Sequence, residues 1–147
     1  MLCLPPRLGG FGLGGAELNK GLDVKKQLKS VTSMKHIVPD ICWDSKRVVV
    51  EYDSDDFHID TSETRRKKKA RITSDSIKRR TYSAKKYSVV TVTNGEFIDF
   101  DEIEMIAVML SKLLGKHGLR SSKKHAVDRI RLHEWLRVPA DQRDPYR

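Results

Sequence analysis

The strongest pattern along the chain is a pair of apolar, β-branched runs separated by three polar residues. Residues 37–43 (Ile-Val-Pro-Asp-Ile-Cys-Trp) and 47–53 (Arg-Val-Val-Val-Glu-Tyr-Asp) read as two strands, with Asp44-Ser45-Lys46 as the hairpin turn between them. Three consecutive valines with no polar alternation predict that the second strand is buried on both faces. Residues 54–74 are polar, first acidic and then basic, and are expected to be a loop running into a helix start. Ser74-Asp75 offers an N-cap for a helix that carries Ile77, Thr81, Tyr82 and Ala84. Residues 87–93 (Tyr-Ser-Val-Val-Thr-Val-Thr) read as a third strand, ended by Asn94-Gly95.

The best helical spacing follows. Ile103, Ile106, Ala107, Leu110, Leu113 and Leu114 recur at intervals of three and four behind Asp99 or Asp101 as cap, with Gly115 or Gly118 as the stop. Ala126, Ile130, Leu132, Trp135 and Leu136 give a marginal helix over residues 125–137, and residues 22–35 a short, weakly apolar one. The chain start holds Pro5-Pro6 and Gly9, Gly10, Gly12, Gly14, Gly15 and Gly21, which argues for loop and turns. It lacks the Lys-Ser/Thr of a phosphate loop, and its Phe11 and Leu13 are expected to pack a ribbon onto the core. The order hairpin, helix, strand, helix predicts an α/β arrangement: an antiparallel pair with a crossover to a third strand. The expected organisation is an extension with a weak helix over residues 1–35, a core over 36–117 and a basic tail over 118–147.

Composition adds a partner class. The 147 residues are 38% hydrophobic and 33% charged, and 29 Lys and Arg against 20 acids give a net charge of +9. That excess suits a polyanion, although charge alone also fits a basic protein without a dedicated partner. Cys3 and Cys42 form no C-x-x-C pair and belong to no zinc-spaced cluster, so a reducing, cytoplasmic setting is expected, with Cys42 as a small core residue. No apolar run approaches the roughly 20 residues of a membrane helix, and no signal peptide is read at the start. The Gly-rich stretch lies so near Met1 that the chain could equally be the C-terminal piece of a longer protein.

Three carboxylates sit where the two strands meet. Glu51 and Asp53, two apart on a strand, share a face, and the hairpin turn sets Asp40 within reach of Glu51. Carboxylates gathered in this way repel one another, and a divalent cation relieves that repulsion; oxygen-only ligands suit Mg²⁺ or Mn²⁺. The ordinary alternative is a turn residue and two solvated strand-end charges. His58, five residues beyond Asp53, is either a group that positions or deprotonates water or a loop histidine. Arg65, Arg66, Lys67, Lys68, Lys69, Arg71, Lys78, Arg79 and Arg80 crowd into sixteen residues. Such density beside an acidic site suits contacts to a phosphate backbone, and with little aromatic interleaving it does not suggest base stacking; the alternative is a solvated charge run. Lys78 stands out as a group that could reach a scissile phosphate.

These residues match a known pattern. Pro39-Asp40, an eleven-residue step to Glu51, then Glu51-x-Asp53 resembles the PD-(D/E)xK nuclease signature. More narrowly the chain resembles small endonuclease-like proteins related to the very-short-patch (Vsr) mismatch-repair endonucleases. The likeness rests on Asp40, Glu51-Tyr52-Asp53-Ser54, His58, Asp75-x-x-Lys78, the strand at 87–93 and the Leu-Gly-Gly-Phe-Gly-Leu stretch at 8–13, and covers roughly residues 8–115. It implies a restriction-endonuclease-like α/β core with a central mixed sheet of three to four strands flanked by helices. It further implies metal-dependent DNA cleavage, of the kind found in bacterial defence, repair or mobile elements, with Mg²⁺ or Mn²⁺ on Asp40, Glu51 and Asp53 and with His58 and Lys78 assisting. Arg65, Arg66, Lys67, Lys68, Lys69, Arg71, Arg79 and Arg80 would grip the DNA backbone. Three positions depart from the pattern: Asp53 stands where the signature lysine would fall, Lys78 replaces the arginine of D-x-x-R, and Lys86 replaces the glycine before the third strand. A catalytically silent DNA-binding or regulatory module that keeps the fold is therefore the rival expectation. The oligomeric state is left open, with a homodimer allowed.

Overall fold

The computed structural model describes residues 1–24, 34–53, 65–116, 119 and 123–143, with the backbone alone for 65–71, 123–124 and 140. The strands are β1 (Glu17–Leu18), β2 (Leu22–Asp23), β3 (His36–Ile37), β4 (Ile41–Trp43), β5 (Val48–Asp53) and β6 (Ser88–Thr93). The helices are α1 (Arg65–Lys85), α2 (Asn94–Ile98), α3 (Phe100–Leu113) and α4 (Lys123–Arg137). Among the described residues no helix is long and apolar enough to cross a membrane.

The chain divides into two compact units: Glu17–Asn94, and Met1–Ala16 together with Gly95–Arg147. The Gly-rich start groups with the C-terminal helices.

The Glu17–Asn94 unit holds a mixed four-stranded sheet in the order β1-β4-β5-β6. β4 and β5 are antiparallel, Ile41 facing Val50, and β5 and β6 are parallel, Val48 beside Ser88. Parallel neighbours need a crossover, and the chain between β5 and β6 contains α1. The expected hairpin and crossover are both present. The first expected strand, however, is split. β3 pairs with β2 in a separate two-stranded ribbon, while β4 starts only at Ile41. Pro39 lies in the gap; it has no amide hydrogen to give a ladder and is found at strand starts and breaks. Leu22 and Asp23 are strand rather than the start of the short helix expected from residue 22, and residues 25–33 of that expectation lie outside the described residues.

The core of this unit gathers Leu22, Val24, Ile37, Cys42, Val49 and Tyr82, with Met34 and Tyr87 packed against it. Val48 and Val50, on the opposite face of β5 from Val49, are buried as well, as the valine run predicts. Ser74 and Asp75 do not cap α1. They lie well inside it, because the basic run from Arg65 is already helical. Lys, Arg and Ala are good helix formers, and their propensity carries the helix through turns that have no apolar stripe. The C-terminal end of α1 is a Schellman-type stop: Lys86 takes φ +59°, its amide bonds the Ser83 carbonyl, and the Tyr87 amide bonds the Tyr82 carbonyl.

In the other unit, Asp99 caps α3 by accepting from the Asp101 and Glu102 amides. Ile103, Ile106, Ala107, Leu110 and Leu114 are buried, whereas Leu113 is exposed. Asn94-Gly95, read as a strand end, opens α2. Phe11 and Leu13 are buried, as expected of the ribbon. A 3₁₀ turn at Pro6–Leu8 packs against α4, and Gly9 follows at φ +75°, where a Cβ would stand 2.4 Å from the Asp128 carbonyl oxygen. Only glycine allows that approach. The helix expected over 125–137 is present, but its most buried side chains are Arg129 and His133, while Ile130 and Val127 are exposed.

Candidate functional site

Glu51 and Asp53 project from the last turn-out of β5 into a cleft of about 730 Å³, whose other wall is α1. Along α1, Asp75, Lys78, Arg79 and Tyr82 line it at helical spacings of three and four, so that one face of the helix looks onto the strand. Val89 and Thr91 of β6, the register partners of Val49 and Glu51, line its side.

Glu51 is the hub. Its carboxylate is mostly buried, at 17% exposure, and burying an unpaired charge would be costly. Lys78 relieves that cost: its Nζ lies 3.2 Å from Oε2 and 3.4 Å from Oε1. Tyr82 donates its hydroxyl hydrogen to Oε1. Burial pushes the Tyr82 phenol far above its ordinary range, and the hydrogen bond to Glu51 and the neighbouring negative charges of Glu51 and Asp40 add to the shift. The phenol therefore stays a neutral donor, clamped on the carboxylate, across the physiological range.

Asp40 takes a different part from the one expected. β4 starts only at Ile41, and just before it the Asp40 carboxylate accepts the Tyr52 amide hydrogen at 2.6 Å. The Tyr52 hydroxyl in turn donates to Asn94 Oδ1 at 2.9 Å. Asp40 thus finishes the ladder beside the site and fixes the end of β5. The three carboxylates are near one another in the fold, yet among the described residues no group of three or more His, Cys, Asp or Glu side chains is arranged to hold a metal ion. The expected cage of Asp40, Glu51 and Asp53 is thus not assembled there. What the donor set offers is a pair, Glu51 and Asp53, on one face of one strand. Mg²⁺ commonly uses one or two carboxylates and completes its shell with water and phosphate oxygens, so the pair fits such an ion in its sparse form.

Of the other predicted residues, Arg79 lines the cleft and Arg80 is exposed beside it. Arg65, Arg66, Lys67, Lys68, Lys69 and Arg71 belong to the first two turns of α1 by backbone. His58 lies outside the described residues. Sequence reasoning missed Tyr82 and Tyr87 as polar groups and counted them as helix and strand positions. The spacing Lys78 to Tyr82, four residues on a helix, was the available signal. A second polar cluster was also missed: Lys20 Nζ lies 2.6 Å from Glu17 and 3.0 Å from Asp44, and Tyr87 donates to the same Asp44 carboxylate. Those hydrogen bonds, from Tyr87 first and Lys20 second, hold the Asp44 carboxyl below its usual range. Burial and the bond to Asp44 push the Tyr87 phenol up to about 12.

Comparison with family models, with characterised proteins and with solved structures gives no match.

Proposed function

We propose that the chain is a metal-dependent DNA endonuclease of the PD-(D/E)xK type, with the cleft between β5 and α1 as its reacting centre. The observation that carries this reading is the ammonium of Lys78 beside Glu51. The signature lysine is missing at position 53, and α1 brings a lysine to the same carboxylate from the other wall of the cleft.

In this reading the phosphodiester lies along the cleft with its scissile phosphate at Lys78. The Lys78 side chain is one-third exposed, so a phosphate oxygen can reach Nζ while Glu51 stays behind it. The ammonium then neutralises charge that grows on the phosphate as water attacks, and it is already in place before the reaction. Glu51, held by the Tyr82 hydroxyl, orients the attacking water. Asp40, by fixing the Tyr52 amide, keeps Glu51 and Asp53 on a rigid strand end. A Mg²⁺ or Mn²⁺ ion on Glu51 and Asp53 would polarise the phosphate and offset the repulsion between the two carboxylates. Arg79 and Arg80, with the cations of the first turns of α1, give sequence-independent contacts to neighbouring phosphates.

Supercoiled plasmid is the direct substrate. Mg²⁺-dependent nicking, stopped by EDTA and by Lys78→Met, is the expected outcome; nicking by the purified Lys78→Met variant at the wild-type rate removes the assignment.

One observation favours the rival reading, a silent DNA-binding module. Glu51 is already compensated by Lys78 and Tyr82 without a metal, and Asp40 is engaged with the Tyr52 amide. Such a module would bind DNA with no nicking, and Mn²⁺ would leave its melting temperature unchanged, whereas a metal site stabilises the fold by mass action.

A further inference from the structure

α3 is apolar on two faces. One stripe, from Ile103 to Leu114, is buried. The other is not: Met105 is 62% exposed, Met109 43% and Val108 38%. With Asp101, Glu104 and Lys112 these three line a shallow groove of about 560 Å³. The six positions, 101, 104, 105, 108, 109 and 112, advance by three and one in turn, so they form one continuous helix face. An apolar stripe opposite the buried face of a helix is ordinarily covered as well. Two of the chain's four methionines sit on this exposed stripe, and methionine suits surfaces that repack against a partner.

The charges on the stripe say what covers it. Its N-terminal end is acidic and its C-terminal end is basic. Glu104 is drawn to Arg129 at 3.4 Å, which leaves Asp101 and Lys112 as the charges at the two ends. When a second α3 is laid antiparallel across a two-fold axis between residues 106 and 107, the numbers of facing residues sum to 213. Asp101 then meets Lys112, Met105 meets Val108, and Glu104 meets Met109. Both ion pairs form at once, because a two-fold contact uses the same patch twice. A parallel arrangement sets Asp101 against Asp101 and Lys112 against Lys112. A polyanion is repelled by the acidic end.

We propose that this face of α3 is a self-association surface, on which a second copy of the chain docks antiparallel with Asp101 against Lys112 and the Met105–Val108–Met109 stripe at the centre.

The test is sedimentation equilibrium of the full chain over a wide concentration range. Wild type should show a reversible monomer–dimer equilibrium. Asp101→Lys and Lys112→Glu should each raise the dissociation constant about tenfold, since each turns two exposed pairs per dimer from attraction to repulsion. The double variant Asp101→Lys/Lys112→Glu should return to wild-type affinity. An equimolar mixture of the two single variants should form a mixed dimer. All these positions are exposed, so melting curves should confirm folded protein, and Met105→Lys should abolish the dimer without unfolding the chain. A chain that stays monomeric at every concentration overturns the proposal. So does a dimer that ignores Met105→Lys, or single variants that neither the charge swap nor the mixture rescues; that last outcome would mean a parallel pair or another partner.

Discussion

Lys78 and Arg129 are both helix cations paired with a glutamate, at 3.2 and 3.4 Å, yet their surroundings are inverted. At Lys78 the acid is the buried member, 17% exposed against 33% for the lysine. At Arg129 the cation is buried, 2% exposed against 41% for Glu104. The Arg129 guanidinium also lies over the Phe11 ring, 5.3 Å from its centroid. His133, one turn on, bonds the Phe97 carbonyl and sits edge-on to Phe97 and Phe100. In the Met1–Ala16/Gly95–Arg147 unit, buried basic side chains serve as packing material: their planar heads cover aromatic rings and satisfy backbone. In the Glu17–Asn94 unit the acid is fixed and the cation faces the cleft. An anionic ligand can reach Lys78 and has no path to Arg129.

The contrast predicts different costs. Arg129→Ala should destabilise the fold by about 3 kcal/mol, as expected for removing a large buried side chain with its ring contact. Lys78→Met should cost less, about 1–2 kcal/mol, because the lysine is one-third exposed and Tyr82 still bonds the Glu51 carboxylate that loses its ammonium. Chemical denaturation of both variants checks this, and equal losses would break the comparison. Next in size, Thr81 is fully buried on α1 and its hydroxyl has no hydrogen-bond partner among the described residues. Thr81→Val should therefore stabilise by about 1 kcal/mol, by removing an unsatisfied polar atom at nearly constant volume; a lowered melting temperature would show that the hydroxyl is bonded in solution.

A smaller effect concerns how the two main helices stop. α3 ends on Gly115 at φ +70°, with the Gly115 and Lys116 amides bonding the Lys112 and Ser111 carbonyls. α1 ends in the same hydrogen-bond pattern with Lys86 in the glycine's place. A Cβ in that conformation costs about 1–2 kcal/mol, and a glycine gives part of this back through unfolded-state entropy. Lys86→Gly should thus gain about 0.5 kcal/mol on the same denaturation curves, and a loss would mean that the lysine side chain has a stabilising contact of its own.

The smallest effect is a pH dependence at Asp44 and Tyr87. The Tyr87 phenol is raised in the fold from its ordinary value of 10 to about 12, by burial first and by its bond to Asp44 second. A raised folded value means that the stabilisation is whole below pH 10 and lost as pH climbs toward 12. Asp44 is lowered in the fold, so its share is whole above the ordinary carboxylate range and lost on acidification through it. Melting temperatures should therefore drop at both ends. Tyr87→Phe should flatten the alkaline limb, and an unchanged alkaline slope would leave the Asp44–Tyr87 bond without a role in it.

Much of this was legible from spacing. The valine run gave a strand buried on both faces, the Asp44-Ser45-Lys46 turn gave the hairpin, and Ile103 to Leu114 gave the buried stripe of α3. Lys86, flagged by its departure from a glycine pattern, proved to sit in the conformation that favours glycine. The failures have physical causes. Pro39 ended a ladder that apolar pattern alone would have continued. The charged turns of α1 show no apolar periodicity, so propensity had to carry that helix. Asp40 was assigned to a metal from its position on the strand, and its bond to the Tyr52 amide, made by one carboxylate oxygen, was not legible there. Arg129 and His133 look like solvent-facing residues until Phe11, Phe97 and Phe100, all distant in sequence, close over them.

The central claim is that Glu51 is held in place for chemistry and not for stability. The decisive measurement is the rate of Mg²⁺-dependent plasmid nicking by Glu51→Gln beside wild type, with melting temperatures taken on the same samples. The expected result is a loss of about 100-fold or more, equivalent to about 2.7 kcal/mol in barrier, with the melting temperature within a few degrees of wild type. Nicking by Glu51→Gln at the wild-type rate would contradict it.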